Sequence, residues 1–320
     1  MVVGSTAITA VAPESLYSDG LSSKSCLILN PVAGRGGIHG RLASIRKVFR
    51  SRGITTVYET SAAGDEEKFT KRAIQEGCST IVAVGGDGTC GRIAGEIVRS
   101  KATCRLAVVA AGTGNDFAKT LGVGRFTPDE IAELVVRGQE SRIDVGEVDG
   151  HYFVNSCGFG FDASVLEATR SIRFLKGDAV YIYAALKQLF TYRGVDVSAD
   201  GAREGTRGKM LMVTVSNGRW LGGAFKIAPQ ASAKDGRLDA CFIGDSNVMQ
   251  RVRLFAGAIR GTHAGMPSVQ TAQFQRLTLT FPDNPSMEVD GELRVATSRT
   301  VELRCIPKAL AVLSAPGALG

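Results

Sequence analysis

The sequence predicts an α/β protein whose two halves differ: a parallel sheet flanked by helices, followed by a mainly antiparallel sheet structure. The chain has 320 residues, enough for two domains. From Ser25, short apolar runs alternate with amphipathic helical patterns as far as Gly138. After Asp144, short strands separated by turn residues predominate. Three strands of the first half end in glycine-bearing turns, which is typical of ligand-binding α/β sheets.

Each element of the first half has a local signal. Apolar runs such as "SCLILN" indicate buried strands, and glycines mark helix ends at Gly53, Gly77 and Gly138. Thr127 followed by Pro128 is a typical helix start. The strands are predicted at 25–30, 54–60, 79–84 and 105–110, and the helices at 40–53, 65–77, 89–100 and 127–138.

The second half begins with a predicted hairpin that turns at Asp149 and Gly150. Two longer helical patterns occur among short strand patterns. The helices are predicted at 178–194 and 246–261, and the strands at 209–216, 237–243, 276–281, 286–295 and 300–306.

Charge and composition limit the function classes. The formal net charge is +7, and Lys and Arg outnumber Asp and Glu between Val165 and Arg260. This excess favours an anionic partner such as a membrane surface, the alternative being a solvated basic face. No zinc-finger spacing, basic run or RNA-binding aromatic signature is present, so we expect no nucleic acid partner.

Cysteine usage and hydropathy bear on location. Seven scattered cysteines without a C-x-x-C spacing indicate reduced thiols in the cytoplasm. No apolar run approaches the roughly 18 residues of a membrane span. Residues 1–24 lack a basic start followed by an apolar stretch, so we expect a flexible tail and not a secretory signal.

The stretch "IVAVGGDGTCGRIAGEI" (81–97) indicates a ligand site. Its glycines let the backbone approach a ligand, and the following helix directs free N–H groups at the turn, which favours phosphate. Asp87 would repel a bare phosphate, but it could hold magnesium against one. The turn therefore predicts a metal–nucleotide complex.

Two other nucleotide-binding motifs, the dinucleotide fingerprint and the P-loop, do not explain this turn as well. Gly86, Gly88 and Gly91 match the spacing G-x-G-x-x-G of a dinucleotide fingerprint. That fingerprint expects an acidic residue at the end of the next strand. Here the next strand ends in "VVAAGTG", which contains no acidic residue. No G-x-x-x-x-G-K-[ST] occurs, which excludes a standard P-loop.

Glycine turns similar to the one at 85–89 follow the first strand ("NPVAGRGG", 30–37) and the fourth ("GTGND", 112–116), so one sheet edge should carry all three.

The motifs "NPVAGRGG", "VGGDGT" and "GTGNDFA" resemble those of the diacylglycerol, sphingosine and ceramide kinase superfamily, and the bacterial diacylglycerol-kinase-like lipid kinases above all. The resemblance continues in family order through "NSCGFGFDA" (155–163), "SNGRWLGGAFKIAPQASAKDGRLD" (216–239) and "EVDGEL" (288–293). It covers roughly residues 25–313, nearly the whole chain.

The resemblance implies an α/β nucleotide-binding domain (25–144), a β-sandwich lipid- and metal-binding domain (145–305) and an active site in the cleft between them. The segment 306–320 is expected to return to the first domain. The cofactors implied are ATP and Mg²⁺. The residues that it places along ATP are Asn30, Pro31, Val32, Ala33, Gly34, Thr60, Gly85, Gly86, Asp87, Gly88, Thr89, Cys90, Gly91 and Thr113.

The resemblance also implies the catalytic groups. Asp87 and Asp116 would organise magnesium and phosphates, and Glu292, in Asp290-Gly291-Glu292, would be the general base, with Asp290 beside it. Without the resemblance, Asp290 and Gly291 indicate only a β-turn. A structural magnesium site would use Asp235 and backbone carbonyls near Ser232 and Arg237.

Two departures from the family pattern bear on activity. An Asn-Glu pair usually stands where this chain has Gly91-Arg92, so Arg92 could contact phosphate or the site could be altered. Lys234 replaces an acidic residue beside Asp235, which would weaken the structural metal site.

The acceptor is expected to be a lipid hydroxyl, on diacylglycerol or a sphingoid base. The segment 171–194, with aromatic residues and nearby cations, is either a core helix or an interfacial helix that meets an anionic membrane. We therefore expect a cytoplasmic protein that visits the membrane and could form a homodimer. The alternatives are an NAD kinase, which shares the Gly-Gly-Asp-Gly-Thr turn, and a catalytically silent nucleotide- or lipid-binding regulator.

Overall fold

The computed structural model describes residues 24–36, 38–138, 140–169, 171–172, 178–201 and 206–319. Most of the expected tail, residues 1–23, lies outside the described residues. So do Arg170 and residues 173–177, which supply the cations of the candidate interfacial segment. Among the helices within these ranges, none is both long and apolar enough to cross a bilayer.

The first half forms the predicted parallel sheet, with strand order β2-β1-β3-β4. The central strands β1, β3 and β4 are almost entirely buried and mostly apolar because helices pack on the sheet, whereas the edge strand β2 is partly exposed. The strands are β1 (Ser25–Leu29), β2 (Thr56–Glu59), β3 (Thr80–Gly85) and β4 (Arg105–Ala110), and the helices are α1 (Leu42–Ser51), α2 (Asp65–Gln75), α3 (Asp87–Arg99), α4 (Asp116–Thr120) and α5 (Pro128–Arg137). Short 3₁₀ turns at Ala33–Gly36 and His39–Arg41 precede α1.

The second half is antiparallel and sandwich-like, as predicted, and three helices cover one of its faces. Its helices are α6 (Phe161–Thr169), α7 (Asp178–Thr191) and α8 (Val248–Arg260), the last followed by a 3₁₀ turn at His263–Gly265. Its strands are β5 (Ser141–Val148), β6 (His151–Phe153), β7 (Ser156–Gly160), β8 (Val195–Asp200), β9 (Arg207–Ser216), β10 (Leu238–Gly244), β11 (Val269–Phe274), β12 (Arg276–Thr280), β13 (Ser286–Val289), β14 (Glu292–Val295) and β15 (Thr300–Val312).

Alternating side chains of the second half fill two apolar cores. Phe242 of β10 lies in the core enclosed by the sheet, and the next residue, Ile243, packs in the core beneath the helices. This two-sided burial follows from the period of two along a strand. Together with the parallel sheet of the first half, the arrangement confirms the predicted fold class.

Three parts of the second half differ from the sequence prediction. Residues 286–295, predicted as one strand, form the hairpin β13–β14, because Asp290 and Gly291 adopt positive φ angles of 46° and 87°. The last strand continues beyond residue 306 to Val312. Strands β8 and β11 and helix α6 were not predicted.

Strand β15 joins the two halves. It pairs antiparallel with β12 and β5, and near its end Ala311 and Val312 pair in parallel with Arg105 and Leu106 of β4. The boundary predicted between residues 305 and 306 therefore falls inside one continuous strand. The division into 25–144, 145–305 and 306–320 stays a prediction.

Candidate active site

The three glycine turns meet at the carboxyl edge of the parallel sheet. A Cβ atom placed on Gly34 would lie 2.6 Å from the carbonyl oxygen of Ala111. One placed on Gly86 would lie 3.1 Å from the Cα atom of Gly112. Side chains at these positions would push the turns apart, so glycine is required for their close approach.

A cleft of about 710 Å³ lies at this edge. The amide of Asn30 donates to the hydroxyl of Thr89 at 3.0 Å, which ties the first turn to the start of α3. Nine of the residues predicted along ATP line the cleft: Asn30, Pro31, Val32, Ala33, Gly34, Thr60, Gly86, Gly88 and Thr89. Gly85, Cys90 and Gly91 are buried behind the turn, and Asp87 and Thr113 face a neighbouring cavity.

Helix α3 begins at Asp87, two residues earlier than predicted, and its N-cap residue, Gly86, has no side chain to cap the free N–H groups. The carboxylate of Asp87 accepts from the backbone N–H of Phe117 at 2.9 Å. A Cβ atom placed on Gly114 would lie 3.1 Å from Asp87 Oδ2 and 3.4 Å from Asp116 Oδ2, so both carboxylates face the same point. Burial, and then the charge of Asp116, raise the pKa of Asp87 to about 6.

These two carboxylates fit a magnesium site. Mg²⁺ is commonly bound by one or two carboxylates together with phosphate oxygens and water. A cation between Asp87 and Asp116 would offset the repulsion that raises the pKa of Asp87. Within the described residues no group of three or more His, Cys, Asp and Glu could hold a metal, so phosphate and water would complete the coordination.

A loop of the second half closes over Asp116. The backbone N–H of Gly223 donates to both Asp116 oxygens, at 3.1 and 3.0 Å. Lys119 pairs with Asp116 at 3.0 Å and also donates to the carbonyl oxygen of Gly223. The ring of Trp220, in the same loop, lies 5.3 Å from the Lys119 ammonium. Asp116 therefore connects the two halves at the cleft.

Asp290 is held inside the second half. Its carboxylate accepts from the backbone N–H groups of Val154, Asn155 and Ser156, at 2.8 to 3.0 Å. Burial raises the pKa of Asp290 to about 7, although these N–H groups act in the opposite direction. A Cβ atom on Gly91 would lie 2.7 Å from Asp290 Oδ2, so glycine at position 91 allows this carboxylate to pack against α3.

The carboxylate of Glu292 lies between two guanidinium groups. Arg92 Nε donates to its Oε1, and an Nη atom of Arg294 donates to its Oε2 at 2.8 Å. Arg92 also lies 3.7 Å from Glu67. Glu292 and Arg92 line the glycine cleft, whereas Asp87 and Asp116 line the neighbouring cavity.

That second cavity, of about 460 Å³, is called the acidic cavity because its lining includes Asp87, Asp116, Asp162, Glu288 and Asp290. Burial raises the pKa of Asp162 to about 7. Burial also raises the pKa of Glu288 well above its usual range, and the charge of Asp162 adds to the effect. Among the described residues, three buried oxygens of its lining lack a hydrogen-bond partner: Asn155 Oδ1, Asp162 Oδ2 and Glu288 Oε2.

The acidic cavity adjoins an apolar one of about 450 Å³. Asp162, Leu221 and Gly222 line both cavities. The apolar cavity lies between the sheet and helices α6, α7 and α8, with Phe161 and Phe255 in its wall. Sequence reasoning missed Asn155, Asp162 and Glu288, although "NSCGFGFDA" and "EVDGEL" contain them.

The predicted structural metal site lies apart from these cavities. Asp235 accepts from the backbone N–H of Arg237 at 3.0 Å and from the amide of Gln273 at 3.3 Å. The same amide donates to Asp239, whose pKa burial raises to about 6. Ser232 lines a small cavity beside Trp220. The roles of Ser232, Asp235 and Arg237 in metal binding stay a prediction.

Fold and site together define an α/β protein in which a glycine-lined cleft at a parallel sheet adjoins an acid-lined cavity of a β-sandwich-like second half. Comparison with known families agrees. Residues 24–148 match the diacylglycerol kinase catalytic domain, and residues 155–314 match the YegS C-terminal NAD kinase beta sandwich-like domain. The chain belongs to the diacylglycerol kinase catalytic-domain family and carries its YegS-type second domain.

Individual relatives support this membership. The chain is 27% identical over 268 residues to a diacylglycerol kinase of Bacillus subtilis, covering 83% of this chain and 88% of the relative. It is 30% identical over 213 residues to a Pseudomonas aeruginosa protein named "Probable lipid kinase YegS-like", covering 66% and 68%. A solved Bacillus anthracis diacylglycerol kinase shares the fold, with a TM-score of 0.68 at 20% identity over 92% of this chain and 98% of that one. Family membership confirms the predicted enzyme class, a phosphotransferase with an alcohol acceptor.

Proposed function

We propose that the chain is an ATP-dependent lipid kinase, which transfers the γ-phosphate of Mg-ATP to a hydroxyl of diacylglycerol, a sphingoid base or a related lipid. The observation that carries the proposal is that the three cavities adjoin one another. Gly291 lines both the glycine cleft and the acidic cavity, and Asp162, Leu221 and Gly222 line both the acidic and the apolar cavity. Nucleotide, acceptor hydroxyl and hydrocarbon chain thus each have a matching compartment.

The glycine cleft is the proposed ATP site. The free N–H groups at the start of α3 would face the phosphates, where the helix dipole favours negative charge. Asp87 and Asp116 would hold Mg²⁺, which when bound neutralises charge on the phosphate that is transferred. Gly85, Cys90 and Gly91 would shape the turn from behind.

Transfer needs positioning and charge neutralisation more than covalent help from the protein. The acceptor oxygen would form a bond to the γ-phosphorus, and the bond from that phosphorus to the bridging oxygen would break, its electron pair leaving with ADP. The hydroxyl proton would pass to the carboxylate of Glu292. Asp290, whose oxygens are occupied by backbone N–H groups, would hold the Gly291 turn in position.

The apolar cavity suits an acyl chain, because transfer of hydrocarbon from water is favourable by about 0.8 kcal/mol per CH₂ group. The adjoining acidic cavity suits a neutral or cationic headgroup. The unpartnered oxygens of Asn155, Asp162 and Glu288 could accept hydrogen bonds from hydroxyl or ammonium groups.

The surface around the apolar cavity suits peripheral membrane contact. Leu186 and Val252 line the cavity while remaining 54% and 46% exposed, and Phe190 and Met249 nearby on α7 and α8 are more exposed still. Exposed apolar side chains beside cations are typical of interfacial helices. A cytoplasmic enzyme would use this surface to reach its substrate transiently, and the expected homodimer stays a prediction.

One observation favours a second function, the catalytically silent regulator. Arg92 holds Glu292 in an ion pair, so the proposed base is engaged in this conformation. An NAD kinase is disfavoured by the downstream motifs "DGRLD" and "EVDGEL".

The test is a phosphate-transfer assay with Mg-ATP against diacylglycerol, monoacylglycerol, sphingosine, ceramide, phosphatidylglycerol and NAD. We expect transfer to a neutral or cationic lipid, and a fall of at least about a hundredfold in Asp87→Asn and Glu292→Gln. Asp196→Asn, at an exposed position on β8, is the matched control. Full activity in both site variants contradicts the site, and no turnover on any acceptor favours the regulator.

A further inference from the structure

Arg92 lies where the proposed nucleotide site meets the proposed base. It stands on α3, in the turn after Asp87, with about a quarter of its side chain exposed. It lines the glycine cleft and also a small adjoining cavity whose wall includes Arg99 and Arg294. Its guanidinium can therefore reach either an anion in the cleft or a carboxylate of the second half.

In this conformation Arg92 pairs with Glu292 directly and lies 3.7 Å from a second carboxylate, that of Glu67. Arg92 Nε donates to Oε1, and a Cβ atom placed on Gly88 would lie 3.6 Å from that same oxygen. Glu292 thus places negative charge beside the first turn of α3, where a helix N-terminus favours anions. A nucleotide phosphate would seek both of these partners, the N–H groups of the first turn and the guanidinium.

Arg294 holds the other oxygen of Glu292. Its Nη atom donates to Oε2 at 2.8 Å, and among the described residues its buried Nε has no acceptor. If Arg92 moved to a phosphate, Arg294 would still hold Glu292 through Oε2. Oε1 alone would be freed.

Resting on the proposed function, we propose that Arg92 is a positioning residue that exchanges Glu292 for the polyphosphate of the bound nucleotide. Guanidinium binds phosphate with two parallel bonds, and the combined negative charge of a polyphosphate exceeds that of one carboxylate. The exchange frees Oε1 to accept the acceptor proton only when nucleotide is present. Arg92 thus couples nucleotide binding to the availability of the base.

The test combines binding and kinetics on the full-length protein. Binding of the non-hydrolysable analogue adenosine 5′-(β,γ-imido)triphosphate with Mg²⁺ is measured by calorimetry, without lipid. Arg92→Gln should weaken binding by about tenfold, through loss of charged hydrogen bonds. Glu292→Gln should tighten it several-fold because the competing anion is removed. Within an Arg92→Gln background this tightening should largely disappear.

Kinetics separate positioning from simple support of the fold. Arg92→Gln should raise the KM for ATP about tenfold, because a phosphate partner is lost. The value of kcat at saturating ATP should stay within about threefold of the wild type, because without the Arg92 guanidinium the Oε1 atom of Glu292 is already free to accept the proton. Arg92→Lys should show a smaller rise in KM, since it keeps the charge. Arg99→Gln is the matched control, because Arg99 lines the small cavity but not the glycine cleft.

The outcomes are distinguishable. Additive effects of Arg92→Gln and Glu292→Gln on binding, or a fall in kcat with unchanged KM, overturn the role of Arg92. A wild-type protein that binds the analogue but phosphorylates no lipid contradicts the proposed function. In that case the binding measurements on Arg92→Gln, Glu292→Gln and the double variant still test whether Arg92 exchanges Glu292 for the polyphosphate. A wild-type protein that does not bind the analogue overturns both.

Discussion

Replacing Asp162 by Asn is expected to stabilise the protein at neutral and alkaline pH. Asp162 lies in the first turn of α6 and is 7% exposed. Its Oδ1 accepts from the backbone N–H of Ala163 at 2.8 Å, a bond that the carbonyl oxygen of Asn can keep. Its Oδ2 has no partner among the described residues, so the substitution removes a charge without breaking a hydrogen bond made by that oxygen.

The magnitude follows from the shifted pKa. Burial raises the pKa of Asp162 from its ordinary 3.8 to about 7, a difference of about three pH units. At 1.36 kcal/mol per unit, ionising this buried carboxyl costs about 4 kcal/mol of folding free energy. Below about pH 4 the carboxyl is protonated in both the folded and the unfolded state, so this cost is absent and the stability of the wild type is highest with respect to this group. As the pH rises, the unfolded state ionises first, and the cost reaches its full value once the pH has passed 7.

The assay is urea unfolding of the wild type, Asp162→Asn and the exposed control Asp196→Asn at several pH values between 5 and 8. The stability gained by Asp162→Asn over the wild type should grow steadily with pH, approaching about 4 kcal/mol at pH 8. The control should show no such trend. A difference between Asp162→Asn and the wild type that stays constant across this range would refute the burial argument.

Three further predictions test other parts of the site. Gly91→Ala should lower stability by about 1–3 kcal/mol in thermal unfolding, because its Cβ would lie 2.7 Å from Asp290 Oδ2; an unchanged melting temperature contradicts this packing. Ala185→Phe, in the apolar cavity, should raise the KM for long-chain acceptors about tenfold and leave the KM for ATP unchanged; equal effects on both substrates argue against an acyl site. Phe190→Glu should reduce sedimentation with phosphatidylglycerol vesicles about tenfold, and Val136→Glu, similarly exposed on α5, should not; equal losses exclude α7 as the membrane surface.

The sequence predicted the first half of the fold well because its signals are local. A strand such as β3 reads as a run of branched apolar residues, and the glycine turn after it follows within a few positions. The convergence of three such turns needed only the rule that parallel strands end at one edge. The strands of the second half were harder to predict, since β8 and β11 are short and carry polar residues on one face.

The parts that sequence reasoning missed depend on long-range contacts. Arg92 and Glu292 are 200 positions apart, and nothing near either residue indicates the other. Asp290 reads locally as a turn residue, but its carboxylate is bound by backbone N–H groups from a loop more than a hundred positions earlier. Such pairs become visible only when the strand order of the second half is known.

Two acids of the acidic cavity, Asp162 and Glu288, oppose the stability of the fold when they are ionised, because both are buried. Along β13, Met287 and Val289 point into the apolar core of the sandwich, while Glu288 and the following Asp290 line the cavity. Asp290 and Glu288 at least bind backbone N–H groups, but an uncharged residue at position 162 would avoid burying a carboxyl group with a raised pKa. Buried acids that oppose stability are typical of sites whose function needs them. Asp162→Asn should therefore raise stability and lower phosphate transfer together, whereas an acid cluster with a purely structural role would lose stability on the same substitution.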